Sequence, residues 1–355
     1  MLREQTPDAN LHVIVPYGPH GSSARVRALD WLNHCQLDAI THDYLGLPVN
    51  SPKLVLSQPA RAWAAERSLW RLTHEVRTST VLLVREASPF SRGFVESALL
   101  RNAERAVYDF DDALMEPQPS MIERVFSKAV KWRRCVAAAD VVIAGNDVLA
   151  DAAQTAGAAD VRLIPSCVEP LDYRLKANFE RKGPPVSVWL GSPATEHYLS
   201  AIADSLLRVH STVGLRLAVI SAGGRSFGAL DRMVDRHPWT PTAHQELASF
   251  DFGLMPLPDD PWTRGKCAYK LLQYGATGLP MIGSPVGANR AALDVMGGLA
   301  ASSFDDWVDA LTTLSTMNPI AMAELGWLGR AGVEAHYSFT SWASVWRGAL
   351  GLDRG

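Results

Sequence analysis

Between Asp251 and Gly287 the chain reads DFGLMPLPDDPWTRGKCAYKLLQYGATGLPMIGSPVG. An apolar run leads into a proline-rich loop that carries Asp259, Asp260, Arg264 and Lys266. A helix is expected from near Cys267 to Gly278, followed by a further strand. At a helix start the free N–H groups and the helix dipole point the same way, so neighbouring cations complete an anion site. A phosphate or diphosphate is the natural occupant. The same spacing equally describes a solvated surface loop. Trp262, inside the loop, either stacks on a base or sugar or pins the loop in place.

Other chemistry-bearing residues follow expected strands. PYGPHG (Pro16–Gly21) comes after the first apolar run, and Gly18 and Gly21 allow a ligand close approach to the backbone. His20 lies between them, and Arg25 and Arg27 sit at the next helix start. These make Gly18, His20, Gly21 and Arg25 candidates for holding an acceptor. Arg85 and Glu86 follow a second strand, and Asp109, Asp111 and Asp112 follow a third. Glu86 or Asp111 would accept a hydroxyl proton or orient that hydroxyl; helix caps or structural ion pairs are the plain alternatives. His12 alternates with strand apolars and is expected to be packed. Trp31, Trp132 and Trp189 read as core, and FTSWASVWRGAL (Phe339–Leu350) as a packing helix.

The elements that position these residues alternate. Strands are expected at Leu11–Val15, within Thr80–Pro89, Glu104–Met115 and Ala139–Ala144, and within Asp160–Pro170. The pattern restarts at Gly183–Pro193, Leu215–Gly224, Ser249–Leu257 and Gly278–Gly287. Continuous apolar strands separated by helices imply parallel sheets covered on both faces. Asn146 or Asp147 reads as the cap of a helix ending at Gly157, and a further helix is expected near Leu199–Val209. The polar stretch Arg174–Pro185 is the best linker candidate. In open α/β sheets ligands bind outside the carboxyl ends of strands, which is where the residues above fall.

Composition agrees with an enzyme of two domains. The 355 residues are 47% hydrophobic and 20% charged, with 34 Lys plus Arg against 37 Asp plus Glu. Disorder and a strongly basic nucleic-acid binder are both excluded. No apolar run reaches the roughly 20 residues a membrane span needs. No signal-peptide stretch opens the chain, and no long basic amphipathic helix stands out, so a cytoplasmic location and a soluble acceptor are expected. Cys35, Cys135, Cys167 and Cys267 lie far apart, so neither zinc nor a disulfide framework is expected.

The Asp251–Gly287 stretch resembles the nucleotide-sugar segment of retaining family-4 glycosyltransferases of the GT-B fold. Asp251, Gly253, Pro256, Leu257, Lys270, Leu271, Tyr274, Ala276, Gly278 and Pro280 carry that resemblance. IAGND (Ile143–Asp147), LIPSCVEP (Leu163–Pro170) and VWLGSPAT (Val188–Thr195) match in the same order. The resemblance implies an α/β chain of GT-B type, two Rossmann-like domains facing each other across a cleft. Residues 1–172 would hold the acceptor, with the C-terminal helix 339–355 packing back on them, and residues 173–338 the donor.

The implied activity is retaining, metal-independent transfer of a sugar from a nucleotide-diphosphate donor to a hydroxyl acceptor, without cofactor. The acceptor would be a small natural product, a polysaccharide or a lipid-linked molecule. Arg264 and Lys266 would stabilise the diphosphate leaving group; Gly191, Ser192, Lys270, Gln273, Asn146 and Trp262 would bind the donor. Metal independence makes the D-x-D form of Asp109–Asp111 a coincidence. This chain departs from the family at Gln273, where a glutamate is usual, at Gly265, and at Ser192, Thr195 and His197, where an Arg-and-Lys pair is usual. These departures keep open a non-catalytic nucleotide-sugar-binding partner protein, or an epimerase or pseudo-glycosyltransferase on the same scaffold. No carboxylate pair with glycosidase geometry is evident.

Overall fold

A computed structural model describes residues 10–18, 21–47, 55, 57–117 and 124–352. By its contacts the chain divides into two units, Met1–Ser166 with Trp342–Gly355, and Cys167–Ser341. The chain passes from the first unit to the second inside the LIPSCVEP segment. It returns within the last helix, Phe339–Ala349. Arg174–Pro185, read as a linker, belongs to the second unit. Its cations are anchored there: Lys176 Nζ donates to Phe250 O at 2.8 Å, and Arg181 donates to the carbonyls of Leu314 and Ser315.

The first unit is a six-stranded parallel sheet: β1 (Leu11–Ile14), β2 (Ile40–His42), β3 (Thr80–Val84), β4 (Arg105–Phe110), β5 (Val141–Ala144) and β6 (Val161–Leu163). Their spatial order is β2-β1-β3-β4-β5-β6. The chain moves outward to β2 and then jumps back over β1 to β3. The strand order therefore reverses between β1 and β3, and ligand crevices form at the carboxyl ends of such strands. Short β2 was not legible, having only three residues and little burial. His12 is packed as expected: its Nδ1 lies 3.0 Å from Nε2 of His42, with the rings stacked.

Two contacts hold this unit's far-separated segments. Trp346 of the final helix stacks on Trp31, ring centroids 5.2 Å apart, and Arg105 Nε donates to Ala349 O at 2.8 Å. The other contact is an ion pair in the interior. Helix Ser22–Cys35 contains a π turn over Arg25–Leu29, which carries Arg27 into the core. Arg27 is 0% exposed and donates Nε and Nη2 to the two oxygens of Asp109 at 2.7 and 2.9 Å. Nη2 also donates to Ile164 O. Burial pushes the Asp109 carboxyl up to about 6, with Arg27 holding it down against that. Both Asp109 oxygens are thus engaged by the guanidinium, whatever the D-x-D spelling suggests.

The second unit repeats the plan: β7 (Val186–Leu190), β8 (Arg216–Ser221), β9 (Val234–Pro238), β10 (Phe252–Met255), β11 (Met281–Gly283) and β12 (Leu299–Ala300). All are parallel, in the order β12-β11-β10-β7-β8-β9, with the reversal between β7 and β10. The matched motif residues pack this sheet. Asp251 Oδ2 accepts from Val186 N at 2.7 Å and so starts β7 beside β10. Gly253 leaves room for the Tyr274 ring, which a Cβ there would strike. The Tyr274 hydroxyl donates to Leu254 O at 3.1 Å and accepts from Leu190 N at 3.3 Å.

Removing one partner of a buried pair leaves a charge without compensation, at a cost of about 3–5 kcal/mol. Asp109→Asn should lower stability by that amount in urea denaturation. The double variant Arg27→Met with Asp109→Leu should recover most of it, as apolar replacements of buried pairs do.

Candidate functional site

In the first unit the residues after β1 and β3 converge. Gly18 N donates to Leu47 O at 2.8 Å and Gly21 N donates to Gly18 O at 2.8 Å, so both glycines close a turn over the end of β1. Arg25 pairs with Asp30 at 2.9 Å on the flank of its own helix. His20 lies outside the described residues.

Arg85, directly after β3, holds a left-handed backbone, φ 60°. A non-glycine residue in that region costs about 1–3 kcal/mol and persists where the surroundings over-determine it. Here they do. Arg85 N donates to Asp109 O at 2.9 Å and Arg85 O accepts from the Tyr108 hydroxyl at 3.0 Å. Its guanidinium donates to Ser23 Oγ at 2.8 Å and pairs with Asp112 at 2.9 Å and Asp111 at 3.5 Å. Burial alone would weaken the Arg85 charge, but Asp112 and Asp111 raise its pKa.

Glu86 and Asp111, both expected at the site, therefore meet around Arg85. Glu86 accepts from Lys131 Nζ at 2.5 Å, and Lys131 also donates to Ser88 O. A small cavity is lined by Arg85, Glu86, Leu114, Lys128 and Lys131. Burial pushes the Glu86 carboxyl up, but Lys131, Lys128 and Arg85 together bring it below its ordinary value. A carboxylate so held is a weak proton acceptor and a good orienting acceptor for a hydroxyl. Lys131 was missed in the sequence. The signal was a lysine on the apolar face of Lys128–Val136, beside Trp132 and one turn before Cys135.

In the second unit, Gly191 and Ser192 follow β7. A Cβ on Gly191 would collide with the Trp189 ring and the Lys270 stem. Lys270 Nζ lies 5.2 Å from the centre of that ring. Ser192 occupies the N-cap position of the 3-10 segment Pro193–Ile202, with no capping bond from its side chain. Gln273 is 8% exposed, and among the described residues none hydrogen-bonds its side-chain amide. Asn146, grouped with the donor residues, instead lies in the first unit. Its Oδ1 accepts from Leu149 N at 2.9 Å as the cap of Asp147–Thr155.

The basic loop departs from expectation. Helix Tyr269–Thr277 starts two residues later than Cys267, after Ala268 in a left-handed conformation, and Gly278 caps its end. A separate turn, Pro261–Arg264, is closed by an Asp260–Thr263 capping box. Arg264 pairs with Asp259 at 2.6 Å, an exposed pair. The Arg264 backbone carbonyl abuts Gly287, the residue before helix Ala288–Met296. Lys266 Nζ lies 5.0 Å from the Trp262 ring centre. The basic loop thus touches a second helix start that the sequence reading did not use.

Glu196 was also missed. It is 0% exposed and pairs with Arg236 of β9 at 3.2 Å, beside Gly223. Arg236 was not legible because β9 (VDRHP) lacks an apolar pattern.

No protein-family model matches the chain, and no curated protein matches it in sequence. Solved structures do. A lipopolysaccharide outer core galactosyltransferase, WaaB, in its apo form aligns with TM-score 0.62 at 13% identity, over 96% of this chain and 98% of that one. Anabaena HepE in complex with UDP-glucose aligns with TM-score 0.67 at 14% identity, over 96% and 99%. Apo OtsA aligns with TM-score 0.65 at 11% identity, over 98% and 100%. The chain has the GT-B fold.

Because Glu86 is held below its ordinary pKa, the pair it makes with Lys131 contributes stability above pH about 4.5. That contribution is lost as pH falls through the lowered native value. Lys131→Ala should cost about 3–5 kcal/mol at pH 7 and clearly less near pH 3.5, read from urea midpoints at both pH values.

Proposed function

We propose that this GT-B chain is a retaining, metal-independent glycosyltransferase that moves a hexose from a uridine-diphosphate donor to a hydroxyl acceptor. The observation that carries it is Lys270 packed against Gly191 after β7, with Gln273 one turn along the same helix and the Arg264–Lys266 loop joining β10 to that helix, beside the point where the strand order reverses. WaaB, a galactosyltransferase, and HepE, solved in complex with UDP-glucose, support the hexose and the uridine nucleotide.

Breaking the bond from the anomeric carbon to the diphosphate puts negative charge on the leaving oxygens. Lys266 and Lys270 would meet that charge from fixed positions, and the backbone at Gly191 would allow close approach. Gln273 has a side-chain amide that no described residue hydrogen-bonds, suited to a ribose hydroxyl. In the first unit, Glu86 and Asp111 around Arg85 would orient the acceptor hydroxyl. The engagement of both Asp109 oxygens by Arg27 supports metal independence, because the D-x-D carboxylates do not act together. Retention rests on the sequence resemblance.

One observation favours a second reading. Arg264, expected as a leaving-group cation, is paired with Asp259. A protein that binds the nucleotide sugar without transferring it would tolerate that neutralisation.

UDP release from UDP-glucose and UDP-galactose separates the two readings. Thermal stabilisation by the sugar nucleotide with no UDP released by the purified chain, alone or with acceptors, would favour the second. Lys266→Ala should lower turnover about 100- to 1000-fold with an unchanged melting temperature; near-normal turnover removes Lys266 from the mechanism. Gln273→Ala should weaken UDP binding about tenfold, roughly 1.4 kcal/mol, measured by calorimetric titration.

A further inference from the structure

The first unit holds two buried ion pairs of different design. In Arg27–Asp109 the guanidinium takes both carboxylate oxygens, so that pair is closed. In Lys131–Glu86 one oxygen is taken and one is left. Lys131 Nζ donates to Glu86 Oε2 at 2.5 Å. Glu86 Oε1 accepts from none of the described residues and is not sealed from solvent. The Glu86 side chain is 14% exposed and the Lys131 side chain 3%. The pair is therefore covered on its lysine side and open on its carboxylate side, and both residues line the small cavity.

Both members are held from behind. The left-handed backbone of Arg85 sets the turn that carries Glu86, whose N–H donates to Val84 O at 2.7 Å. Lys131 Nζ is shared between Glu86 and the carbonyl of Ser88. Ser88 is fixed in turn: its N–H donates to Glu96 Oε1 at 3.0 Å and its hydroxyl donates to Glu66, with Ser88 and Glu96 both fully buried. The lysine thus has one geometry open to it. A buried ammonium is a costly way to fill space, and an apolar side chain beside Trp132 and Cys135 would serve stability at least as well. The residue type is informative too. An arginine here would take both carboxylate oxygens with its planar fork, as Arg27 does, whereas a lysine is a point charge that takes one.

We propose that Lys131 is a positioning residue for the acceptor: it pins Glu86 by Oε2 and so presents Oε1 to the cavity, where Oε1 accepts the hydrogen of the hydroxyl to be glycosylated. The inference rests on the transferase reading above. Within it, Glu86 touches the acceptor and Lys131 acts only through Glu86. The charges that bear on Glu86 come from three elements. Burial raises its carboxyl, and Lys131 and Lys128 of helix Lys128–Val136, with Arg85 beside it, outweigh burial. Asp111 and Asp112, after β4, are paired with Arg85. Glu96, of helix Phe94–Asn102, bears on Lys131. Tyr17, Tyr108 and Cys135 lie within electrostatic reach, and burial raises all three so that they stay neutral. Removing the Lys131 charge leaves burial less opposed, so the Glu86 carboxyl must rise.

The test follows UDP release by the full chain from UDP-glucose, with glycerol as a plain hydroxyl acceptor, across a range of pH. Glu86→Gln keeps the side-chain shape and a carbonyl for Lys131 but offers N–H donors where an acceptor is needed. It should lower release at least about 100-fold while UDP binding, read by calorimetric titration, stays unchanged. In Lys131→Met the acid limb of the rate profile should move to higher pH, and part of the rate should return where Glu86 ionises. A lysine with a merely structural role would lower the rate at every pH alike and leave the limb in place. If Lys131→Met melts below the assay temperature, Lys131→Arg carries the test: it keeps the charge but engages both oxygens, so release should fall as in Glu86→Gln at an unchanged melting temperature. Wild-type release in Glu86→Gln or Lys131→Arg, or an unmoved limb in Lys131→Met, overturns this inference and leaves the transferase reading standing. UDP-glucose bound by the wild-type chain with no UDP released removes both.

Discussion

The contact between Arg27 and Asp109 sets the geometry of the first unit. Two charges taken wholly out of water are tolerated only where direction and distance are nearly ideal. The two-pronged contact meets that demand, and the third donation to Ile164 O ties in the connection after β6. Fixing Asp109 fixes the end of β4, whose neighbour in register is Val84 at the end of β3. Asp109 O then accepts the Arg85 backbone N–H, and Arg85 is held in a backbone conformation it would not choose alone. From there the guanidinium reaches Ser23, Asp111 and Asp112. A polar cluster on the rim of the sheet thus inherits its order from an ion pair beneath it.

The second unit reaches a comparable rim by packing. Tyr274 fills the space that Gly253 leaves, and its hydroxyl bridges backbone groups of β7 and β10 across the point where strand order reverses. Tyr274 lies in the same helix as Lys270 and Gln273, so seating its ring also presents those two side chains. Several residues that made the motif recognisable are therefore scaffold.

Charge is distributed with little waste. Lys176 and Arg181 bind carbonyls, Arg236 meets a buried carboxylate, and Arg264 faces Asp259. Lys266 and Lys270 lie against indole rings in the second unit. Cations over aromatic faces remain charged and partly desolvated, a state suited to meeting anions.

Much of the architecture was legible along the chain. Nine of the strands announce themselves as apolar runs, because parallel strands covered on both faces need no alternation. Gly278 declared a helix end, and the ordered motifs pointed to the GT-B scaffold. The strands β2, β9 and β12 escaped, since these edge strands carry little burial to mark them. The partners of Arg27, Glu86 and Glu196 were equally out of reach. Periodicity reports which groups are near in sequence, whereas an ion pair between residues 82 positions apart exists only once strand order has brought them together.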